Sequence, residues 1–294
     1  MKVIVYARKL NDSILKYLNI LVESLMEIQS EVYLSKEIYH QLSINDDIFK
    51  KVNLLTGKES ITLENFDFFI TLGGDGTILG ALTYVKGSGI PIIGINVGRL
   101  GFLASIEKKK IKEAVKSVKE GFYTKESRTL LTISSNYPIF ANLPLALNDV
   151  TVSKRDTSSM VTIHTYIDGE YLNSYWGDGL IISTPTGSTG YSLSCGGPIV
   201  FPGSGNFIIT PIAPHNLNIR PIVVSDKSEI LLKIEGRTEN FLCTLDARFE
   251  PITTAHQLRI KKYQYPLFLI RMEDASFSKT IRSKLAWGVD KRNK

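Results

Sequence analysis

The chain has 294 residues, 43% of them hydrophobic and 22% charged, which is enough apolar material for two domains of ordinary size. Its net charge of +6 and pI near 9.1 favour anionic partners without choosing between nucleotides, nucleic acid and acidic lipid. The only cysteines, Cys195 and Cys243, exclude a disulfide framework, and no apolar run is long enough to cross a bilayer.

Met1–Tyr6 reads as a first strand and is too short for the apolar stretch of a signal peptide. A helix follows over Ser13–Ile28, with Ile14, Leu18, Leu21, Val22 and Leu25 on one stripe. Asn11-Asp12-Ser13 spells a glycosylation sequon but is better read as the helix start, with Asp12 or Ser13 as the cap. Glu31–Leu34 gives a second strand. Gly57-Lys58 imitates a phosphate-binding Walker loop, yet Val52 stands where glycine is required and Glu59 follows the lysine. Phe66–Leu72 is the next clear strand and Thr77–Val85 a helix. Ile90–Asn96 is a strand led by Pro91. Ile106–Glu120 reads as an amphipathic helix with Ile111, Ala114, Val115 and Val118 inward, Lys108-Lys109-Lys110 on its solvated face and Gly121 as its stop. Strands alternating with helices predict an α/β domain built on a parallel sheet.

From about Leu130 the period becomes that of strands. Thr129–Ser134, Ala146–Ser153, Thr162–Ile167, Tyr171–Tyr175, Leu180–Ser183, Phe207–Pro211, Ile230–Glu235, Phe241–Leu245, Leu258–Lys262 and Pro266–Arg271 are short and alternate apolar with polar. Asp168-Gly169 between two of them predicts a tight hairpin. With so few helical patterns interrupting, this half is expected to be a β-rich, sandwich-like domain.

Between strand and helix, Ile70-Thr71-Leu72-Gly73-Gly74-Asp75-Gly76-Thr77 sets one carboxylate among three glycines. Bare glycines let the backbone approach a ligand and aim N–H groups at it, and a helix starting there adds its positive end, so the turn suits phosphate. A carboxylate there would repel phosphate unless it accepted a proton or held a metal; the plainer reading is Asp75 as helix cap. A second polar stretch, Ser183-Thr184-Pro185-Thr186-Gly187-Ser188-Thr189-Gly190-Tyr191-Ser192, offers hydroxyls and bare amides to sugars and phosphates, with Tyr191 able to stack on a base. Asp178 sits between glycines at the start of the preceding strand. Together the two stretches suggest two walls of one cleft. His40, His164, His215 and His256 have no metal-ligand spacing, and no G-x-G-x-x-G follows the first strand.

Several segments in order then resemble one family, the bacterial NAD kinases, which phosphorylate NAD to NADP. They are Gly73-Gly74-Asp75-Gly76-Thr77, Asn96-Val97-Gly98-Arg99-Leu100-Gly101-Phe102-Leu103, Leu147-Asn148-Asp149-Val150, Asp178-Gly179-Leu180 through Tyr191-Ser192-Leu193-Ser194, and Pro211-Ile212-Ala213-Pro214-His215 with Arg220-Pro221. There are departures: Asp149 replaces Glu and reaches one methylene less far, and Gly190 replaces Ala. Gly80 stands where many relatives place Arg, so a phosphate-binding cation is either missing or supplied elsewhere. Asp246-Ala247-Arg248 replaces an Asp-Gly-Gln-like segment, so Arg248 could add positive charge.

The resemblance implies a Rossmann-like or phosphofructokinase-like α/β domain over residues 1–124, to which 268–294 return, and a β-rich NAD-binding domain over 125–267. It implies ATP as donor with Mg²⁺ or another divalent cation, NAD as acceptor, a homo-oligomer and a cytoplasmic location, with neither nucleic acid nor membrane as partner. Asp75 would be the general base on the 2′-hydroxyl of the adenosine ribose. Gly73, Gly74, Gly76 and Thr77 would cradle phosphate, while Asn148, Asp149 and Asp178 would hold the dinucleotide. Thr186, Thr189, Gly190, Tyr191, Ser192, Leu193, Ser194, Ala213 and Arg248 would complete the nucleotide site. Two other readings share the glycine-Asp turn: a lipid kinase acting on diacylglycerol or sphingosine, and a non-catalytic dinucleotide sensor.

Overall fold

Runs dominated by aliphatic and aromatic residues form strands buried on both faces, and Phe68–Leu72 and Ile92–Asn96 are two such runs, every residue buried, Thr71 and Asn96 included. They lie in the middle of the first of two compact units. A computed structural model describes residues 1–42, 47, 49–57, 61, 65–98, 101–155, 159–237, 240–273 and 275–287. By contacts the chain divides into one unit of Met1–Ser127 with Leu267–Lys294 and a second of Arg128–Pro266.

In the first unit the strands are β1 (Lys2–Tyr6), β2 (Glu31–Leu34), β3 (Asn53–Leu54), β4 (Phe68–Leu72), β5 (Ile92–Asn96), β6 (Ile106–Glu107) and β7 (Thr124–Arg128). They form a sheet of order β3-β2-β1-β4-β5, then the late strand Leu267–Arg271, then β7, with β6 on β5. β1 to β6 and the late strand pair in parallel. Helices are α1 (Asp12–Glu27), α2 (Lys36–Tyr39), α3 (Asp75–Val85) and α4 (Ile111–Glu120). Leu18, Leu21, Val22 and Leu25 of α1 and Ala114, Val115 and Val118 of α4 pack on Val3, Val5, Ile70, Ile93 and Ile95. Each of these valine, leucine and isoleucine side chains contributes about 1.5–3 kcal/mol on burial.

Two expectations need correcting here. The cap of α1 is Asn11, whose side chain accepts from the Ile14 amide, and not Asp12 or Ser13. The helix expected from Ile106 begins at Ile111. Ile106 and Glu107 are taken instead as a short strand by pairing with Ile95 and Asn96, and Lys108–Lys110 form a single 3-10 turn. Gly121 does end α4, with φ +82°. The helix Phe277–Leu285 had no forecast from periodicity. Lys58, Glu59, Arg99 and Leu100 lie outside the described residues.

The second unit is two antiparallel sheets. Its strands are β8 (Leu131–Ser135), β9 (Leu145–Ala146), β10 (Asp149–Lys154), β11 (Val161–Ile167), β12 (Glu170–Gly177), β13 (Gly179–Ser183), β14 (Asn206–Ile212), β15 (Ile222–Ser225), β16 (Ile230–Gly236), β17 (Phe241–Leu245), β18 (Arg248–Ile252) and β19 (Gln257–Lys262). One sheet runs β15-β14-β13-β10-β17-β18 and the other β12-β11-β16-β19-β8-β9. They share a core in which Val150, Val152, Leu180, Ile182, Phe207 and Cys243 of one meet Leu131, Ile133, Val161, Ile163 and Leu232 of the other. The Asp168-Gly169 hairpin is as expected: Ile167 pairs with Glu170 and both turn residues have positive φ, 52° and 88°.

The strand expected over Ala146–Ser153 is broken at Leu147-Asn148, for a reason that belongs to the candidate site. Pro266–Arg271, which continued the β pattern in sequence, is the late strand of the first sheet.

Candidate active site

The glycine turn is built at the carboxyl end of β4. Gly73 has φ +154°, and a β-carbon there would lie 2.1 Å from Thr77 Oγ1, so no larger residue fits. Gly74 caps α3 and Asp75 is its first residue, but the Asp75 side chain does not cap the helix. It reaches across instead. Its Oδ2 accepts from the Phe102 amide at 2.8 Å, and its Oδ1 from Leu103 at 3.1 Å and Ala104 at 2.9 Å. Gly101 makes room for this, since a β-carbon there would sit 1.8 Å from Oδ1. A carboxylate offers about four acceptor positions. With three filled by amides, one remains, on Oδ2. Gly74 is exposed beside it, and Thr77 is buried.

In the second unit Asp246 does for one loop what Asp75 does for another. It occupies the turn between β17 and β18 with φ +52°, a conformation Asp tolerates better than most residues. Its Oδ2 accepts from the Leu147 amide at 2.9 Å, and its Oδ1 from Asn148 at 2.7 Å and Asp149 at 3.3 Å. Those amides are thereby withdrawn from the sheet, which is why the predicted strand breaks. The Asn148 carbonyl accepts from the Thr184 amide, and a β-carbon on Gly187 would fall 2.1 Å from that carbonyl oxygen. The Asn148-Asp149 loop and the Thr184–Gly187 loop therefore interlock through their backbones, helped by the Thr184 hydroxyl, which donates to the Leu147 carbonyl at 2.6 Å.

Asp149 is 7% exposed and accepts from Thr151 Oγ1 at 3.1 Å. Burial, reinforced by the neighbouring Asp246, pushes its carboxyl up to about 7. Burial also raises Asp246, against the pull of its three amide donors. Asp178 is half-buried and pairs with Lys154 Nζ at 2.7 Å. Tyr191 is 49% exposed, in the one-turn helix α5 (Tyr191–Ser194); partial burial, with Cys195 and the Asp178 and Asp149 carboxylates nearby, raises its hydroxyl.

The remaining expected site residues differ in their access to solvent. Gly190, Ser194 and Ala213 are exposed, Thr189 and Leu193 half-buried. Ala213 carries a positive φ of 42°, a strained state for alanine. Ser192, expected to line a wall, is wholly buried and shares a 2.8 Å hydrogen bond with Thr210. Thr186 is buried and accepts from Arg128, the first residue of the second unit, at 3.2 Å. The Arg248 guanidinium donates to the carbonyls of Leu143 and Leu145, so it braces the chain ahead of Asn148. Among the described residues no three His, Cys, Asp or Glu side chains gather to hold a metal. The histidines have other partners: His164 lies between Ser174 and Glu235, and His215 packs on Trp176 with ring centroids 4.3 Å apart.

Comparison with known proteins decides the family. The ATP-NAD kinase N-terminal domain model matches residues 3–123 and the ATP-NAD kinase C-terminal domain model residues 147–272. An NAD kinase of Christiangramia forsetii is 41% identical over 297 residues, covering all of both chains. The chain belongs to the ATP-NAD kinase family. An NAD kinase of Flavobacterium psychrophilum is 53% identical over 232 residues, 78% of this chain and 79% of its own. Among solved structures, an NAD kinase from Archaeoglobus fulgidus in complex with ATP superposes with a TM-score of 0.75 at 28% identity, covering 97% of this chain and 99% of its own. The α/β unit with its parallel sheet and the antiparallel β-rich unit are the two-domain fold of these kinases. The matches lend no support to a lipid kinase or a non-catalytic sensor.

Two residues that shape these loops, one in each unit of this ATP-NAD kinase family member, do not stand out in the sequence. Gly101 appears there only within a motif, and Asp246 only within the Asp246-Ala247-Arg248 segment. The signal for Asp246 was present in principle, since a carboxylate in a two-residue turn needs donors, but nothing in the sequence says that the donors lie about a hundred residues earlier.

Proposed function

We propose that the chain transfers the γ-phosphate of ATP to the 2′-hydroxyl of the adenosine ribose of NAD, with Asp75 as general base. Phosphorylation of NAD by ATP is the reaction of the family to which the chain belongs. The observation that carries the assignment is the Asp75 carboxylate, fixed by three amides in a glycine turn with one acceptor position left on Oδ2. A sugar hydroxyl donating to that position is aligned for attack. Its oxygen bonds to the γ-phosphorus, the bond from that phosphorus to the β,γ-bridging oxygen breaks, the hydroxyl proton passes to Asp75, and ADP leaves. Phosphoryl transfer needs mostly alignment and charge neutralisation. The amides of Gly74 and Gly76 supply part of the latter, whereas those of Gly73 and Thr77, expected to join them, donate instead to the Ile95 and Gly74 carbonyls and so hold the shape of the turn. The divalent cation enters with ATP as part of the substrate, where it neutralises phosphate charge.

On this reading residues 1–124 and 268–294 carry the transfer chemistry and 125–267 hold NAD. Asn148, Asp149 and Asp178 bond the dinucleotide, and Tyr191 stacks on it beside Thr189, Gly190, Leu193, Ser194 and Ala213. Thr186, Ser192 and Arg248 support these groups from behind, as their burial and bonding suggest. We also read the protein as a cytoplasmic homo-oligomer; exposed Trp176, Phe201, Leu217 and Phe249 offer apolar surface for assembly. No helix among the described residues is long and apolar enough to cross a membrane.

The test is NADP formation from NAD, ATP and magnesium by the purified protein, read through an NADP-specific dehydrogenase. Turnover that requires all three components is expected. Tight NAD binding without turnover would overturn the catalytic reading.

A further inference from the structure

Arg8 lies two residues beyond the end of β1, and β1 pairs in parallel with β4, which opens into the glycine turn. Both therefore reach the carboxyl edge of the sheet, where open α/β sheets take their ligands. A β-carbon on Gly76 would lie 3.5 Å from an Arg8 guanidinium nitrogen, so this cation flanks the first turn of α3. Arg8 is hydrogen-bonded to the Tyr6 hydroxyl. The Tyr6 ring is itself packed against Phe69 and Tyr84, with centroids 5.9 and 5.5 Å apart.

The Arg8 side chain is exposed beside the amino end of α3, whose partial positive charge adds to that of the guanidinium, so the two together attract an anion. Among the described residues no carboxylate pairs with Arg8. Two other cations of the same unit are engaged: Arg271 bonds Glu126 and the Phe102 carbonyl, and Lys108 donates to the Val97 carbonyl. Gly80, one turn further along α3, brings no charge, and a β-carbon there would lie 2.6 Å from the Tyr6 hydroxyl, so the Tyr6 that bonds Arg8 also keeps position 80 bare.

We propose that Arg8 binds the triphosphate of the donor nucleotide against the glycine turn. The inference rests on reading that turn as the site of phosphoryl transfer. A guanidinium suits the role because its planar fork can take two phosphate oxygens at once, which an ammonium cannot.

The experiment uses the full chain with Arg8→Ala and Arg8→Lys. Steady-state KM values for ATP and NAD, direct calorimetric binding of magnesium-ATP and thermal melting are measured for each. Arg8→Ala is expected to weaken ATP binding and raise its KM roughly tenfold to a hundredfold. The KM for NAD should stay within about twofold and the melting temperature should hold, with Arg8→Lys recovering part of the loss. Unchanged ATP affinity would overturn the proposal. So would a lowered melting temperature with both KM values moving together, because Arg8 would then only brace Tyr6. If the wild-type chain made no NADP, the kinase reading would fall, while the difference in magnesium-ATP binding between wild type and Arg8→Ala would still decide the role of Arg8.

Discussion

Asp75 in the first unit and Asp246 in the second are held by the same device. Each accepts from three successive backbone amides, 102–104 in one case and 147–149 in the other, two on one oxygen and one on the other. Their settings differ. Asp75 opens a helix behind bare glycines, with an exposed Gly74 next to it. The Asp246 carboxylate is enclosed, beside a second buried carboxylate, and burial raises it. An amide cradle is thus a way to pin a loop, and by itself says nothing about catalysis. On the proposed reading, what would make one of the two a catalytic group is access: glycines on one side, and an acceptor position left for a substrate hydroxyl.

The strongest way to break this comparison is to remove charge from Asp75. Asp75→Asn keeps an acceptor for the loop and loses the base, so turnover should fall roughly 10²–10⁴-fold while NAD binding persists. Near-full turnover would make Asp75 a loop pin like Asp246. Glycine substitutions sharpen the contrast. Gly101→Ala places a β-carbon 1.8 Å from Asp75 Oδ1, and Gly187→Ala places one 2.1 Å from the Asn148 carbonyl. The first should cut kcat roughly tenfold or more by displacing the carboxylate, and the second should raise the KM for NAD by a similar factor by shifting the Asn148 loop. Equal effects of both on both constants would contradict the division of labour between the two loops.

Asp246→Ala tests the second cradle. It leaves the Leu147, Asn148 and Asp149 amides without their acceptor, a loss of about 3–5 kcal/mol once water has partly replaced it. Urea denaturation should show this loss in full, and the surviving folded enzyme should bind NAD poorly. A change below about 1 kcal/mol would mean that the loop is held by Thr184 and Gly187 instead.

How far the sequence revealed all this depended on the range of the interaction. Local signals were readable: the stripe of α1, the glycine turn before α3, the two-residue hairpin at Asp168-Gly169 and the antiparallel character of the second unit. The kinase family was readable too, because its motifs are contiguous. The strands Thr124–Arg128 and Arg248–Ile252 carry charge or proline and are strands only because a neighbour pairs with them, while Ile222–Ser225 is too short, at four residues, to show a period. Ile106-Glu107 was read as helix because its pattern continues into α4, and pairing with β5 overrides it. Of the two cradled carboxylates, Asp75 stood out because glycines surround it. Asp246 did not, because its three donors are 97 to 99 residues away.

The mildest prediction concerns the neighbour that Asp246 burdens. The Asp149 carboxyl sits at about 7 in the folded chain against 3.8 in an unfolded one. Between those values the folded state binds more protons than the unfolded state, so this residue makes unfolding easier as pH rises from about 4 to about 7, after which its effect levels off. Asp149→Asn removes the titration while leaving the residue nearly the same size. The stability of Asp149→Asn relative to wild type should therefore improve between pH 5 and pH 8 by on the order of 1–3 kcal/mol, because part of the shift belongs to the Asp149–Asp246 pair jointly. Urea midpoints of both proteins at the two pH values measure it. A difference that does not move with pH would mean that Asp149 is ionised throughout, relieved by water or by movement of Asp246.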